Sequence, residues 1–175
     1  MQSRVAMNRD NRLRRAALLC CHFTRNLAYD RAILANRPLV PRDFWITVAG
    51  SCFDVAILEW HKLFCNASDS HHWLKIIGPE FKTKAMLTLG ISEGKWDEAV
   101  GDVTRYRNAF VAHLLSKETM VIPHLRIHQL MVEVYYLRLA ELFSSLAASA
   151  GLPAEMGNYY VASYTEAEAV CKHNL

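Results

Sequence analysis

The segment from about Arg42 to Asn66 carries the apolar pattern that constrains the fold most. Its hydrophobic positions are spaced by three and four residues: Ile46, Ala49, Phe53, Ile57, Trp60 and Phe64. This spacing is the period of one face of an α-helix. We therefore predict a long helix that buries one face against the rest of the chain.

Three further segments show the same period, and each is bounded by proline, glycine or polar residues. They run from about Met7 to Asn36, from near Ser92 or Glu93 to Leu115–Lys117, and from Pro123 to Gly151. Residues 67–94 are rich in apolar side chains, which predicts a connector with short helical pieces. After Pro153, residues 158–161 predict an extended turn, and Thr165–Glu168 predicts a capping box that opens a short terminal helix.

Length and composition favour one all-α domain. The chain has 175 residues, of which 52% are hydrophobic and 21% charged, which is typical of a globular protein able to bury a core. We expect a single domain over residues 1–175, with a bundle of four long helices over about 7–150. Short additional helices are expected in the connector and at the C-terminus, where residues 151–175 would form an extension packed on the bundle.

Other sequence features argue against a membrane segment, a secretion signal, a metal and a cofactor. No apolar run reaches the roughly 18 residues of a membrane-spanning helix, and polar residues interrupt the N-terminal segment where a signal peptide would lie. The five cysteines have no CxxC spacing, which indicates reduced thiols in a cytoplasmic protein. Neither His71–His72 nor the pair His124 and His128 has further ligands at suitable spacing. The net charge of +3 permits nucleic-acid binding without requiring it.

Polar and titratable residues interrupt the third helical pattern near its end. Its apolar positions are Trp96, Ala99, Val103, Tyr106 and Phe110, and the next position is occupied by His113. Arg107 and Asn108 precede that histidine. An arginine can neutralise a phosphate, and a histidine can transfer protons near neutral pH. The alternative is structural: a core histidine with satisfied ring nitrogens, beside an arginine that extends to water.

The stretch Arg107-Asn108-Ala-Phe-Val-Ala-His113 resembles the signature of the HEPN superfamily, in which an arginine is followed by a polar residue and then a histidine four to six positions on. The apolar-Ala-His ending and the segment Phe53–Phe64 are similar to the abortive-infection branch of that superfamily, and the similarity covers about residues 10–150. The resemblance implies a helical bundle. Many HEPN proteins are metal-independent ribonucleases that use the arginine and histidine of two subunits, whereas others are non-catalytic binding or assembly modules.

The resemblance also implies roles for the motif residues. His113 would be the general acid/base, Arg107 the phosphate clamp and Asn108 the group that orients them. The residues expected to bind substrate around the motif are Arg105, Tyr106 and Lys117. Glu59 is a candidate to orient Arg107 or His113; its alternative role is to lie on a solvated face or to pair with a neighbouring helix.

The geometry of an ideal helix predicts a homodimer. On such a helix, six residues rise about 9 Å and leave Arg107 and His113 about 120° apart. A two-fold dimer around the third helix would bring two copies of the motif into one groove. The first function expected is a metal-independent endoribonuclease acting on RNA as a toxin or abortive-infection effector, with an antitoxin or regulatory protein as a further candidate partner. The second is a non-catalytic HEPN module that binds a nucleotide, RNA or a partner protein.

Overall fold

The computed structural model describes residues 9–36, 42–111, 119–142 and 151–173, and every regular element within these ranges is a helix. The elements are α1 (Arg9–Ala35), α2 (Arg42–Phe64), α3 (Trp73–Ile76), α4 (Glu80–Leu89), α5 (Glu93–Tyr106), a π-helical turn (Arg107–Val111), α6 (Arg126–Leu142) and α7 (Met156–His173). The all-α prediction is therefore confirmed for the described residues. None of the helices in these ranges is long and apolar enough to cross a membrane.

A cluster of aromatic side chains from α2, α5 and α6 forms the centre of the core. Trp60 stacks on Phe64 with ring centroids 4.6 Å apart, and Phe64 meets the edges of Trp96 and Tyr135. Stacked and edge-to-face pairs of this kind stabilise a core beyond the area they bury. Except at Ile46, which is 41% exposed, the α2 stripe from the sequence is thus the face on which the other helices pack.

The connector after α2 packs onto this core, as its apolar composition predicts. Trp73 on α3 and Phe81 on α4 are buried, and each contacts the Trp96 ring. Gly90 ends α4 in the left-handed conformation at φ 63°, which glycine adopts without steric cost. Ser92 then caps α5 by accepting a hydrogen bond from the Lys95 amide. The connector therefore fixes where α5 begins.

The C-terminal region differs from the prediction. The extended turn at residues 158–161 and the capping box at Thr165–Glu168 are both wrong, because they lie inside the 18-residue helix α7. The buried residues Met156, Ser163 and Cys171 lie on one side of that helix. The Met156 sulfur accepts a hydrogen bond from the Thr24 hydroxyl at 3.5 Å, and α7 packs mainly on α1. The terminal helix is accordingly a long element of the fold rather than a short one.

The third long helix also departs from the predicted regular geometry. α5 is α-helical only to Tyr106, and residues 107–111 form a π turn with i→i+5 hydrogen bonds. A π turn contains one more residue than an α turn. The angle of about 120° between Arg107 and His113 assumes an ideal α-helix; residues 107–111 do not have that geometry, and His113 lies outside the described residues.

Candidate functional site

Arg107 begins the π turn, and its charge has no carboxylate partner among the described residues. Its Nη1 donates a hydrogen bond to the Asn108 side-chain oxygen at 3.0 Å. Its Nε is buried and has no hydrogen-bond partner within the described ranges. A half-buried guanidinium whose charge has no carboxylate partner is suited to an external anion, which would contact its terminal nitrogens and not the buried Nε. Asn108 is exposed, and its side-chain oxygen accepts the hydrogen bond from Arg107.

A neighbour that the sequence motif does not indicate is His61 on α2. Two contacts fix how α2 and α5 pack: Cys65 Sγ lies 3.7 Å from the Val100 carbonyl oxygen, and the Tyr106 hydroxyl lies 3.2 Å from Asp54 Oδ1. The helices therefore run antiparallel. His61 is half-buried, and its pKa is lowered below the ordinary value by burial and then by the positive charge of Arg107.

Tyr106 is held inside the protein rather than presented to a substrate. Its ring is buried and meets the edge of Phe53 with centroids 5.4 Å apart. Its hydroxyl donates to Asp54, and burial together with that carboxylate raises the pKa of Tyr106 to about 12. The described contacts of Tyr106 thus join α5 to α2.

Arg105 lies on a different side of the helix from Arg107 and is exposed. Its Nη1 is 3.5 Å from Asp102 Oδ1, a distance typical of a weak surface ion pair. Arg105, Asp102 and Phe110 line a small cavity of about 150 Å³ together with the segment around His124. Arg105 is therefore available to a ligand, but the described structure does not bring it to Arg107.

Glu59 is directed toward α1 and its own helix. Its carboxylate is 2.8 Å from Lys62 Nζ and 4.0 Å from His22 Nδ1, and the residue is only 9% exposed. No contact joins it to Arg107 among the described residues. The predicted orienting role toward Arg107 therefore has no structural counterpart here, and Glu59 stabilises the α1–α2 packing instead.

Two predicted site residues, His113 and Lys117, lie outside the described residues. Their roles stay predictions. The described part of the site consists of Arg107, Asn108 and His61, and Arg105 lies apart from it.

The remaining histidine pairs do not form a metal site in the described ranges, where no group of three His, Cys, Asp or Glu residues is arranged to hold a metal ion. His128 is a core residue: its Nε2 lies 3.0 Å from the Ala99 carbonyl oxygen, and its ring forms an edge-to-face contact with Trp60. His71 is bound to Asp69, and His72 Nε2 lies 3.1 Å from the Phe64 carbonyl oxygen. All five cysteines are free thiols.

Comparison of the chain with family models, with curated proteins and with solved structures finds no match.

Proposed function

We propose that the protein is a metal-independent endoribonuclease of HEPN type that acts as a toxin or abortive-infection effector. The observation that carries the proposal is the Arg107 guanidinium, which is half-buried on a π turn and has no carboxylate partner among the described residues. Short π segments occur frequently at functional sites. A permanent cation in such a place is suited to bind the phosphate of an RNA backbone.

Cleavage requires few catalytic groups from the protein, because the 2′-hydroxyl of RNA is itself the nucleophile. The 2′-oxygen attacks the adjacent phosphorus and forms a new P–O bond, while the bond from phosphorus to the 5′-oxygen breaks. One proton leaves the 2′-hydroxyl and another reaches the 5′-oxygen, so the products are a 2′,3′-cyclic phosphate and a 5′-hydroxyl end. In the proposal Arg107 stabilises the charge on the phosphoryl oxygens, Asn108 holds Arg107, and His113 transfers a proton.

The alternative is a non-catalytic HEPN module that binds a nucleotide, RNA or a partner protein. The buried Nε of Arg107 favours this alternative. A guanidinium that is only partly accessible can bind a phosphate group without contacting the oxygens on which charge develops during cleavage. Both functions need the positive charge of Arg107, but only the ribonuclease also needs an imidazole to transfer protons.

The decisive experiment measures cleavage of mixed cellular RNA by purified protein with a chelator present. We expect His113→Ala to lower the rate on the order of 100- to 10,000-fold, which is the usual contribution of a general acid/base. Arg107→Lys should also be strongly impaired, because an ammonium group does not provide the planar pair of donors. Arg14→Lys, on the exposed face of α1, is the matched control and should cleave like the wild type. Equal cleavage by all four proteins would contradict the ribonuclease proposal, and phosphate-dependent binding without cleavage would favour the alternative.

We also propose a homodimer, and α6 provides its most suitable surface. The outer face of α6 carries Arg126, Leu130, Val134, Leu137 and Glu141 on one stripe, and Leu137 is 54% exposed. The outer face of α5, where the motif geometry predicts the contact, carries charged residues such as Lys95, Glu98 and Asp102. An apolar stripe of this kind marks a contact surface more strongly than a charged face does.

The α6 stripe is complementary to itself. If two copies of α6 pair antiparallel about a point midway between Glu133 and Val134, Leu130 lies opposite the partner's Leu137. The same axis places Arg126 opposite the partner's Glu141. Each contact occurs twice, which is the property of a two-fold interface. An antitoxin or regulatory protein stays a predicted partner without an assigned surface.

A further inference from the structure

Cleavage of RNA through its 2′-hydroxyl requires two proton transfers, whereas the motif in one chain contains one histidine. The first transfer removes the 2′-hydroxyl proton, and the second protonates the 5′-oxygen as it leaves. Efficient enzymes assign these transfers to two groups. A dimer around the motif would take the second imidazole from another subunit, but the fold also offers an imidazole of the same chain in the groove between α2 and α5.

That imidazole belongs to His61, and the packing of α2 against α5 determines its position. The Cys65 Sγ lies 3.7 Å from the Val100 carbonyl oxygen of α5, and the same oxygen accepts a hydrogen bond from Thr104 Oγ1. His61 is one turn before Cys65, which directly follows α2, and Arg107 in the π turn is one turn after Thr104 of the antiparallel α5. This register brings the two side chains to the same part of the α2–α5 groove.

The surroundings of His61 leave its ring available. The ring is half-buried and makes no hydrogen bond to any described residue. Two charged groups from neighbouring segments act on it: Arg107 from the π turn lowers its pKa and Asp69 from the turn after α2 raises it, with burial as the largest cause of lowering. On its own helix, Glu59 and Lys62 pair with each other. Burial and Arg107 therefore favour the neutral form of the His61 ring, which is the form that can accept a proton.

Most other histidines of the described structure have partners, and the exposed His124 lines the small cavity beside Arg105 rather than contacting Arg107. The His71 ring is hydrogen-bonded to the Asp69 carboxylate. The Nε2 atoms of His72 and His128 lie within hydrogen-bond distance of backbone carbonyl oxygens. His22 lies beside Glu59 on the α1 side of α2. His61 is thus the imidazole that the described structure associates with Arg107.

We propose that His61 is a second catalytic residue, which accepts the 2′-hydroxyl proton while Arg107 holds the phosphate. This inference rests on the proposed ribonuclease function. The proton moves from the 2′-oxygen to an imidazole nitrogen as the new P–O bond forms. His113 supplies the proton that the 5′-oxygen takes when its bond to phosphorus breaks. The carboxylate of Asp69 compensates the imidazolium charge that develops on His61. His61 and Arg107 belong to the same chain.

The test compares cleavage by wild type, His61→Gln and His173→Gln, which removes an exposed histidine at the far end of α7. We expect His61→Gln to be slower by about 100-fold or more, and His173→Gln to match the wild type. The wild-type rate should increase with pH below 6.5 as His61 loses its proton, and this limb should be absent in His61→Gln. Added imidazole should restore part of the rate of His61→Gln and should not affect the other two proteins.

The outcomes separate this inference from the proposed function. If wild type cleaves RNA, His113→Ala does not, and His61→Gln retains the full rate and pH limb, the role of His61 is overturned and the ribonuclease stands. If the wild type itself does not cleave, the proposed function fails. If circular dichroism shows that His61→Gln folds poorly, the pKa of the His61 ring is measured in the wild type by NMR titration instead. A bound, uncleavable 2′-deoxy oligonucleotide should raise the pKa of His61, and an unchanged pKa would overturn the inference.

Discussion

Asp30 is a carboxylate enclosed within the helical packing, and its protonation should control stability. It lies on α1, is 6% exposed, and is close enough to Cys52 and Tyr106 for its charge to raise the pKa of each. Burial raises the pKa of Asp30 from 3.8 to about 6, although the neighbouring Arg31 opposes the shift. The folded protein thus retains a proton on Asp30 that the unfolded chain has already released.

We predict that Asp30→Asn stabilises the protein at pH 8 and has little effect near pH 4. Between pH 4 and pH 6 the folded state binds more protons at Asp30 than the unfolded state does, so its contribution to stability decreases as pH rises through this window. Asparagine has the same shape and no charge. Its gain above pH 6 is at most about 3 kcal/mol, from the size of the pKa shift. Urea unfolding of both proteins at pH 4, 6 and 8 measures the difference.

Asp43 provides the control for this prediction, because it carries the same group on the exposed first turn of α2. Asp43→Asn should show no gain that increases with pH. A difference between wild type and Asp30→Asn that stays constant from pH 4 to pH 8 would contradict the assignment of the buried charge to Asp30.

Single residues of the site were predictable from the sequence only where their role is local. Arg107 and Asn108 are adjacent, and the contact between their side chains requires no knowledge of the fold. His61 is 46 positions before Arg107 in the sequence, so their proximity depends on the register of two packed helices. The sequence allowed Glu59 to pair with a neighbouring helix, but it could not identify His22 on α1 as that partner.

Among the secondary-structure elements, the long apolar stripes predicted α1, α2 and α5. The short sequence patterns near the C-terminus gave a wrong prediction for α7. Residues 158–161 contain two adjacent tyrosines and a valine, side chains that favour extended structure in isolation. The packing of Met156 against Thr24 and of Cys171 against Ile33 overrides that preference. The π turn was unpredictable for a related reason, because no local sequence rule distinguishes it from a continued α-helix.

We predict that α7 is part of the cooperative core and that Met156→Ala weakens it. Met156 is 3% exposed, and truncation of a buried methionine leaves a cavity that costs about 2–5 kcal/mol. Val161 on the same helix is 61% exposed, so Val161→Ala should change the free energy of unfolding by less than about 0.5 kcal/mol. Urea unfolding followed by far-ultraviolet circular dichroism measures both. Equal, small losses in the two variants would show that α7 adds little to the stability of the fold.

For the whole molecule, the helical class followed from the sequence because four stripes of helical period cannot be buried except against one another. The arrangement of the helices did not follow, since a stripe shows which face is buried and leaves its neighbour undetermined. The outer face of α6 illustrates the limit. Its apolar width was evident from the sequence, but only the packing distinguishes Met131 and Tyr135, which face the core, from Leu130 and Leu137, which do not.

A negative charge on the outward face of α6 should dissociate the proposed dimer. Leu137→Glu should raise the dimer dissociation constant on the order of 100-fold, because each dimer loses two buried leucine contacts at about 1.5 kcal/mol each. Leu87→Glu on α4 is the matched control: Leu87 is 83% exposed and lies off the α6 stripe, so the dimer should persist. Arg126→Glu should also weaken the dimer by placing like charges opposite each other, and the double variant Arg126→Glu/Glu141→Arg should restore it. Sedimentation at micromolar concentration distinguishes a wild-type dimer from a 20.0 kDa monomer. A monomeric wild type, or a Leu137→Glu protein as dimeric as Leu87→Glu, would contradict the α6 interface.

Since His61 and Arg107 belong to one chain, the monomeric Leu137→Glu protein should retain the cleavage rate per chain. Loss of cleavage on dissociation would show that the second imidazole comes from the partner subunit.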